Sequence, residues 1–537
     1  MLKKRDIKSL FNIWSVLSFI IVLLVLIPNL NILLNIFKPV NENWQHIKEY
    51  LLKDYIISST ILVLFTGVFS IFMGLIPAWF VTQYNFPGRD FFNWGLILPL
   101  AIPPYIGAYT YTGLLNYTGV IQTFLRDNGI ELNQAYFDIM TIEGAIFIYT
   151  IFLFPYVYIL TRSFLAKQSA SLIESARTLG RSPFEIFWHV VLPISRGAIV
   201  AGVSLVILEV LNDYGVVKYF GISTFSTAIF RTWFAMGDLN SAVKLSALLM
   251  LFVFTVLLIE KFSRGGRRFS YSTTKVRPVS RQKLSGVKAY LISGFCSLIF
   301  SIGFLVPTLQ LLHWSWLSYA EILDLEFIVF TLNSLSVALF SSALIIVLAV
   351  IIANTARIND NILSKLYAKI ALLGYSIPGA VIAVGILLFF IILDNALNTV
   401  LRSSIIMLIF AYVIRFLGIG YNSVESGFDK VGDSFFEASR TLGRGITETF
   451  FKVDFPMIKP AVISGFLLVL IEVLKELPLT LILRPFNFDT LASKAFEYAG
   501  NEMIHEAALS SIIIILICGI AIYYIHKLGG KEDKDVR

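Results

Sequence analysis

The sequence consists largely of apolar runs long enough to cross a lipid bilayer as helices. A spanning helix needs about 20 predominantly apolar residues. Only 15% of the residues are charged and 57% are hydrophobic, whereas a soluble domain is about 25% charged. This excludes a globular cytosolic enzyme, a secreted disulfide scaffold and a disordered chain. We therefore expect an all-α integral membrane protein with twelve spans: Ile13–Phe37, Ile56–Val81, Trp94–Leu115, Gly144–Phe164, Ala198–Val217, Ala242–Ile259, Ala289–Leu312, Ile328–Ala353, Ile370–Leu393, Ser404–Phe416, Ala461–Leu483 and Ala507–Ile525.

The distribution of charge predicts an orientation. The segment Lys261–Val287 contains eight Lys or Arg residues and no acid. Next to apolar runs, such a segment is typical of a cytoplasmic loop rather than a nucleic-acid site. The N-terminal run lacks the features of a cleaved signal peptide, so we expect both termini to be cytoplasmic. The two cysteines and five histidines show no metal-ligand spacing and no disulfide framework.

The chain contains an internal repeat. Residues 174–193 (ESARTLGRSPFEIFWHVVLP) and 437–456 (EASRTLGRGITETFFKVDFP) are related by an offset of 263. Further upstream, Pro103 and Pro378 are related by an offset of 275. We therefore predict a first six-span half over 1–260, a basic cytoplasmic linker over 261–288 and a second six-span half over 289–537.

Each repeated stretch has the local chemistry of two short helices joined by a bend, and we call the stretches 174–193 and 437–456 the first and second elbows. Gly180 is suited to the left-handed conformation that ends a helix. Ser182 and Glu185 then form the pattern of a capping box. In the second elbow Gly445 replaces the serine, and Glu448 keeps the capping-box position. Each elbow alone is compatible with a connecting loop, but two matching copies favour docking of a two-fold symmetric partner.

The repeated pattern, E-A/S-A/S-x-x-x-G followed by an apolar residue and proline, resembles the coupling motif of binding-protein-dependent ABC importer permeases. The resemblance implies a fused pair of permeases in a bacterial inner membrane. It also implies that each elbow docks on one of two ATPase subunits, which carry ATP and Mg²⁺, and that an extracytoplasmic binding protein delivers the substrate. The residues that match the motif are Glu174, Ser175, Ala176, Gly180, Pro193, Glu437, Ala438, Ser439, Gly443 and Pro456.

The chain itself has no phosphate loop of the form G-x-x-x-x-G-K-[ST], which a phosphate-loop ATPase requires. We therefore expect a transport subunit that is not an enzyme, binds no cofactor of its own and has no nucleic-acid partner.

Two segments, Glu209–Asp238 and Glu472–Ala492, resemble the fused permeases of ferric-iron importers more narrowly. This makes ferric iron the expected substrate. Thiamine, a phosphonate or another small solute remains the alternative within the same family. An ion-coupled secondary transporter, which also uses repeats and intramembrane carboxylates, and a multi-pass membrane enzyme are the alternatives of other classes.

Ionisable residues inside spans indicate function by default. Glu209 and Glu472 occupy equivalent positions, and Asp213 and Glu476 follow four residues later, which would place each pair on one helix face. Four carboxylates near a pseudo-two-fold axis suit a hard cation, which prefers oxygen ligands. The same acids could instead make interhelical hydrogen bonds that fix the packing.

Two prolines, Pro103 and Pro378, interrupt matching spans. We interpret them as backbone of the pathway or of a hinge, with a simple helix kink as the alternative.

Overall fold

The structure is a computed structural model that describes residues 12–35, 39–130, 133–167, 175–264, 281–359 and 361–535. This part of the chain is almost entirely helical, which confirms the predicted fold class. The strand pairing found in it is one parallel pair of two-residue strands, β1 (Tyr84–Asn85) and β2 (Gln282–Lys283). The pair attaches the end of the linker to the first half.

The helices of the first half begin and end as follows: α1 Ile13–Asn35, α2 Glu42–His46, α3 Leu52–Gln83, α4 Arg89–Gly95, α5 Pro104–Leu115, α6 Val120–Asp127, α7 Ile142–Lys167, α8 Pro183–Ile186, α9 Leu192–Asn212, α10 Gly215–Tyr219, α11 Phe225–Phe230 and α12 Leu239–Arg264. Short 3₁₀ turns cover Leu98–Ala101 and Gln134–Phe137, and π turns cover Ile47–Leu51, Phe187–Val191 and Arg231–Ala235.

The second half follows a similar order: α13 Val287–Phe300, α14 Val306–Ile322, α15 Leu325–Ile358, α16 Ile362–Ser376, α17 Gly379–Leu397, α18 Ile405–Val431, α19 Ser434–Thr441, α20 Ile446–Thr449, α21 Phe455–Lys475, α22 Pro478–Leu483, α23 Leu491–Gly500 and α24 Ile504–Asp535. A 3₁₀ turn covers Leu401–Ser403, and π turns cover Ser301–Leu305 and Phe450–Asp454.

The membrane-spanning helices follow the predicted order. By length and apolar composition, ten helices of the described part can cross a membrane, and a pair bent by 91°, Arg89–Ala101 with Pro104–Asp127, makes eleven. The predicted first span lies in α1, a helix of 23 residues (Ile13–Asn35). Within the described part of the chain, each of the twelve predicted spans therefore corresponds to a helix or to a bent helix pair.

Two predicted spans are broken rather than continuous. The third is interrupted at Ile102–Pro103, and the ninth, predicted as Ile370–Leu393, at Ile377–Pro378. The backbone of Ile102 (φ −98°, ψ 111°) and of Ile377 (φ −95°, ψ 127°) is extended. The cause is local, because a proline disfavours the helical conformation of the preceding residue and has no N–H to donate.

Each half is packed against the first helix of the other half. In α1, Trp14 donates from Nε1 to Thr447 Oγ1 at 3.3 Å. Toward the middle of the helix, a Cβ atom added to Gly385 of α17 would lie 2.8 Å from the carbonyl oxygen of Pro28. In the reverse direction, Tyr111 of α5 donates to the carbonyl of Ile302 at 2.5 Å. The two halves therefore share one buried core.

Candidate functional sites: an acidic cavity and two elbows

A cavity of about 60 Å³ lies between the two halves, at the break of the third span and at the ends of α9 and α21. It brings together the four acids singled out in the sequence and Pro103, although Pro378 is not among its lining residues. The lining is Leu100, Ile102, Pro103, Pro104, Tyr105, Phe152, Leu153, Tyr156, Glu209, Asn212, Asp213, Arg415, Glu472, Lys475, Glu476, Leu477 and Pro478. We call this the acidic cavity.

The two acids Asp213 and Glu476 are not helical, so the predicted shared helix face is wrong. The helices α9 and α21 end at Asn212 and Lys475, one residue before them. Extended backbone at both acids (ψ 137° and 119°) turns the chain into the next short helix. The side chains accept hydrogen bonds from backbone N–H groups at the start of these helices, Val216 to Asp213 Oδ1 at 2.9 Å and Leu479 to Glu476 Oε1 at 3.1 Å. The two halves thus repeat the same turn.

The acids of the second half are paired with cations. Arg415 Nε lies 3.3 Å from Glu476 Oε2, and both side chains are at most 5% exposed. The same guanidinium donates from Nη1 to the carbonyl of Ile377 at 2.7 Å, at the break of the ninth span. Lys475 Nζ lies 3.0 Å from Glu472 Oε1. Burial of a charge is costly unless it is paired and hydrogen-bonded, and these contacts satisfy that requirement.

The acids of the first half are bonded by neutral tyrosines instead. Tyr375 donates to Glu209 Oε1 at 3.0 Å, and Tyr149 donates to Asp213 Oδ1 at 2.7 Å. Because Tyr375 belongs to the second half, the Glu209 bond crosses between the halves. Within the acidic cavity the carboxyl groups outnumber the basic side chains, four to two.

The break at Pro378 is fixed by close contacts to the first half. The N–H of Gly379 donates to Asn212 Oδ1 at 2.6 Å. A Cβ atom at Gly379 would lie 2.9 Å from Glu476 Oε1 and 3.2 Å from Asn212 Oδ1. A larger residue at this position would have to displace the side chain of Glu476 or Asn212, and the bond from Gly379 to Asn212 joins the two halves at the break.

Sequence reasoning missed Arg415, Tyr149, Tyr375 and Asn212. Arg415 carried a usable signal, because it is a charged residue inside the predicted span Ser404–Phe416 and such residues indicate function. The tyrosines carried none, since tyrosine is common in spans and at their ends. Among the described residues, no group of three or more His, Cys, Asp or Glu side chains is arranged to hold a metal ion.

The first elbow has the predicted bend and cap. Residues 175–178 are helical, and Gly180 adopts φ 75°. The predicted capping box is present: Glu185 N donates to Ser182 Oγ at 3.3 Å, and Ser182 N donates to Glu185 Oε2 at 2.8 Å. Glu174 lies outside the described residues. Pro193 is the second residue of α9.

The second elbow repeats the bend but not the cap. Glu437, Ala438 and Ser439 lie in α19, Gly443 adopts φ 86°, and Pro456 is the second residue of α21. Glu448 keeps the capping-box position, as the sequence indicates, but no capping box forms, because the N-cap residue Gly445 has no side chain to take part. Lys452 Nζ bonds the Glu448 carboxylate at 2.8 Å instead.

Both elbows expose apolar side chains at equivalent positions. Leu179 and Leu442 are 81% and 83% exposed. Trp188 and Phe451 are 44% and 62% exposed. The residue three positions before each of these leucines is small and buried, Ala176 in the first elbow and Ser439 in the second. Matched apolar protrusions on two related elbows are suited to contacting two copies of one partner.

Comparison with known proteins defines the class. The family described as "Binding-protein-dependent transport system inner membrane component" matches the chain twice, over residues 68–263 and 345–529. The chain belongs to this family, as a fused pair of its domains in one multi-pass membrane protein.

Individual relatives extend the comparison. The Fe(3+)-transport system permease protein FbpB 2 of Haemophilus influenzae is 27% identical over 481 residues, covering 89% of this chain and 90% of the relative. The ferric transport system permease protein FbpB of Actinobacillus pleuropneumoniae is 23% identical, covering 86% of this chain and 69% of the relative. The sulfate transport system permease protein CysT of Escherichia coli K12 is 29% identical, covering 31% of this chain and 57% of the relative.

Proposed function

We propose that this chain is the permease subunit of an ATP-driven importer and that it carries ferric iron, delivered by an extracytoplasmic binding protein. The similarity to an Fe(3+) permease over 89% of the chain supports this substrate. The sulfate permease similarity covers only 31% of the chain.

The observation that carries the proposal is the acidic cavity. Its four carboxyl groups come from both halves, two from each, and they line the cavity together with Ile102 and Pro103 at the break of the third span. Carboxylates are ligands that hard cations prefer. An excess of carboxylates over basic side chains favours a cation over an oxyanion such as sulfate. We infer that the acidic cavity is a position on the path of the iron ion. Between transport cycles, the basic side chains and the tyrosine hydroxyls described above bond to its carboxyl groups.

The elbows supply the proposed connection to ATP. Each would dock on one of two ATPase subunits, with Leu179 and Leu442 at the centre of the contacts. ATP and Mg²⁺ would be bound by these partners and not by this chain. Each elbow runs directly into a membrane helix, since Pro193 and Pro456 lie in the first turns of α9 and α21. Movement of the docked ATPase subunits would therefore be transmitted through these two helices.

An orientation follows from the proposed docking. The elbows and the basic linker would be on the cytoplasmic side, with both termini. The binding protein would then meet the opposite side, where the short helices α10, α11, α22 and α23 lie. Thiamine or a phosphonate is the alternative substrate within the family, and a secondary transporter would need neither elbow.

The substrate is tested by uptake of ⁵⁵Fe(III) in cells that lack this chain. A plasmid copy should restore uptake, and a Glu209→Gln/Glu472→Gln copy should not, although its membrane level should be unchanged. The matched control is Glu321→Gln/Glu326→Gln, which removes two exposed acids and should transport normally. If uptake does not depend on this chain, iron is the wrong substrate; normal uptake by the Glu209/Glu472 variant would exclude the acidic cavity as the path.

Docking is tested by co-purification of the ATPase with the permease. Leu179→Asp/Leu442→Asp should lose the ATPase, since a charge replaces the exposed apolar group on both elbows. The matched control is Arg181→Ala/Lys452→Ala, which removes one exposed ion pair from each elbow and should retain the ATPase. Full retention by the double leucine variant would contradict the docking proposal.

A further inference from the structure

A second, larger cavity lies in the first half, and the two cavities share neighbouring positions in the sequence. Asp213 lines the acidic cavity, and the following residue, Tyr214, lines this one. Its volume is about 450 Å³. The helix α9 has 21 residues and is therefore about 30 Å long, which separates this cavity from the first elbow. We call it the basic cavity.

The basic cavity carries two cations and is lined by no acid. Lys218 and Arg231 line it, and both are exposed. In the part of the chain that the structure describes, neither side chain forms an ion pair. Asp54 precedes the lining residue Tyr55 but does not itself line the cavity. Two accessible cations without protein counter-charges favour an anionic ligand.

The rest of the lining suits a small organic molecule. The rings of Tyr214 and Phe230 stack with centroids 3.7 Å apart and form a buried floor. Ser223 adds an exposed hydroxyl at the rim. Binding sites for small molecules typically have volumes of about 300–1,000 Å³ with an apolar lining and a few polar groups.

The second half lacks this arrangement at the equivalent positions. The repeat offset of 263 relates Lys218 to Leu481 and Arg231 to Lys494. Lys494 Nζ lies 3.5 Å from Glu497 and 3.8 Å from both Asp489 and Glu326. Lys494 thus forms ion pairs, whereas Arg231 forms none with the described residues. The basic cavity is therefore specific to the first half and is not a consequence of the shared fold.

We propose that the basic cavity binds a small anion with two or more carboxylates. Arg231 and Lys218 bind the carboxylates, and the floor formed by Tyr214 and Phe230 contacts the carbon skeleton. The guanidinium group is suited to bidentate binding of a carboxylate. This inference rests on the proposed function, in which the anion arrives together with ferric iron. The basic cavity would then bind the anion while the acidic cavity binds the iron ion.

The test is direct binding of ¹⁴C-citrate, without iron, to the full-length chain assembled with its ATPase in lipid nanodiscs. Lys218→Gln/Arg231→Gln should weaken citrate binding by at least about tenfold, since each charge-assisted contact removed costs more than a neutral one. The matched control is Lys494→Gln, at the position equivalent to Arg231, which should bind within about twofold of the unmodified chain.

Three results would overturn the proposal: no citrate binding by the unmodified chain, equal binding by the double variant, or equal losses in the double variant and the Lys494 control. If the double variant leaves citrate binding unchanged but weakens docking of the binding protein, the cations serve an acidic protein surface instead. Citrate binding is measured without iron. A chain that binds citrate but is dispensable for ⁵⁵Fe uptake would therefore refute only the proposed substrate.

Discussion

At the scale of single residues, the two halves solve the same problem with different chemistry. Each half places two carboxyl groups in a buried cavity, and each group needs a polar partner there. The acids of the second half are bonded to Arg415 and Lys475, whereas the acids of the first half accept hydrogen bonds from Tyr149 and from Tyr375 of the second half. Within the described residues, neither Glu209 nor Asp213 is bonded directly to a cation, so under the proposed function these two acids are the more available to a metal ion.

The buried pair of Arg415 and Glu476 gives a stability prediction. Arg415→Gln should lower the free energy of unfolding by about 3–5 kcal/mol, because it leaves Glu476 buried without its cation. Thermal unfolding of the purified protein in detergent measures the change. Arg415→Gln/Glu476→Gln should recover part of the loss, since the unpaired charge is then absent. A double variant less stable than Arg415→Gln would contradict this account.

The close contacts of Gly379 give a second prediction. Gly379→Ala should destabilise the protein by about 1–3 kcal/mol, because the added methyl group meets the carboxylate of Glu476 and the amide of Asn212. The control is Gly294→Ala, in the exposed middle of α13, where a Cβ atom meets nothing within 4 Å. That change should be neutral or slightly stabilising, since alanine is the better helix former. Equal effects of both substitutions on the melting temperature would argue against steric crowding at Gly379.

At the scale of elements, the two elbows are attached to the membrane helices unequally. Arg357, in the last turn of α15, lies 2.8 Å from Asp454 and 3.2 Å from Asp433, and it donates to the carbonyl of Gly432 at 2.7 Å. These three contacts bracket the second elbow. In the first half, the end of α3 reaches its elbow through a bond of 3.3 Å from Arg177 to Gln83. Among the described residues, α15 therefore contacts the second elbow through ion pairs, whereas α3 contacts the first elbow through a neutral acceptor.

This asymmetry predicts a local effect of Arg357→Gln. Amide hydrogen exchange should become faster over Ser434–Asp454, because the substitution removes the ion pairs to Asp433 and Asp454. Exchange over Pro183–Val191 in the first elbow should not change. Lys452→Gln, which breaks an exposed ion pair on the second elbow, is the control and should have little effect. Equal acceleration in both elbows would show that Arg357 acts on the whole fold rather than on one elbow.

At the scale of the whole molecule, the halves are joined by packing as well as by the chain. The helix α1 contacts the second half through Trp14 and through Ser18, whose hydroxyl lies 2.8 Å from Thr355 Oγ1. The helix α13 contacts the first half through Ser293, which donates to the carbonyl of Pro87 at 3.0 Å. Because the first helix of each half packs against the other half, we expect the covalent connection to add little to a contact surface that is already formed.

A split chain tests this arrangement. Residues 1–270 and 271–537, expressed together, should co-purify through a tag on one half, because both fragments keep the helix, α1 or α13, that contacts the other half. A first fragment that starts at residue 39, and so lacks α1, should co-purify much less. Separation of the two intact fragments would show that the linker, rather than the contacts of α1 and α13, holds the halves together.

Much of the fold could be predicted because its causes are local. Apolar runs, the repeat and the elbow at Ser182–Glu185 depend on neighbouring residues, and the structure has the expected helices, bend and capping box. The span boundaries were less predictable. The predicted spans continue past Asn212 and Lys475, and only the structure shows that the helices end there. In the second elbow, Glu448 keeps its position in the repeated pattern, although glycine replaces the residue that would complete its capping box.

The sequence by itself determined a membrane protein of two related halves, two elbows and four acids in or near spans, because hydrophobicity, repeats and charge are properties of the chain alone. The tertiary structure decided that these acids meet in one cavity and that Arg415 and Tyr375 bond to them from distant helices. It also decided that Lys494 forms ion pairs, whereas Lys218 and Arg231 form none within the part of the chain that the structure describes. The physical reason is that a buried or clustered charge is balanced by groups brought close in space, and that proximity arises only when the helices pack.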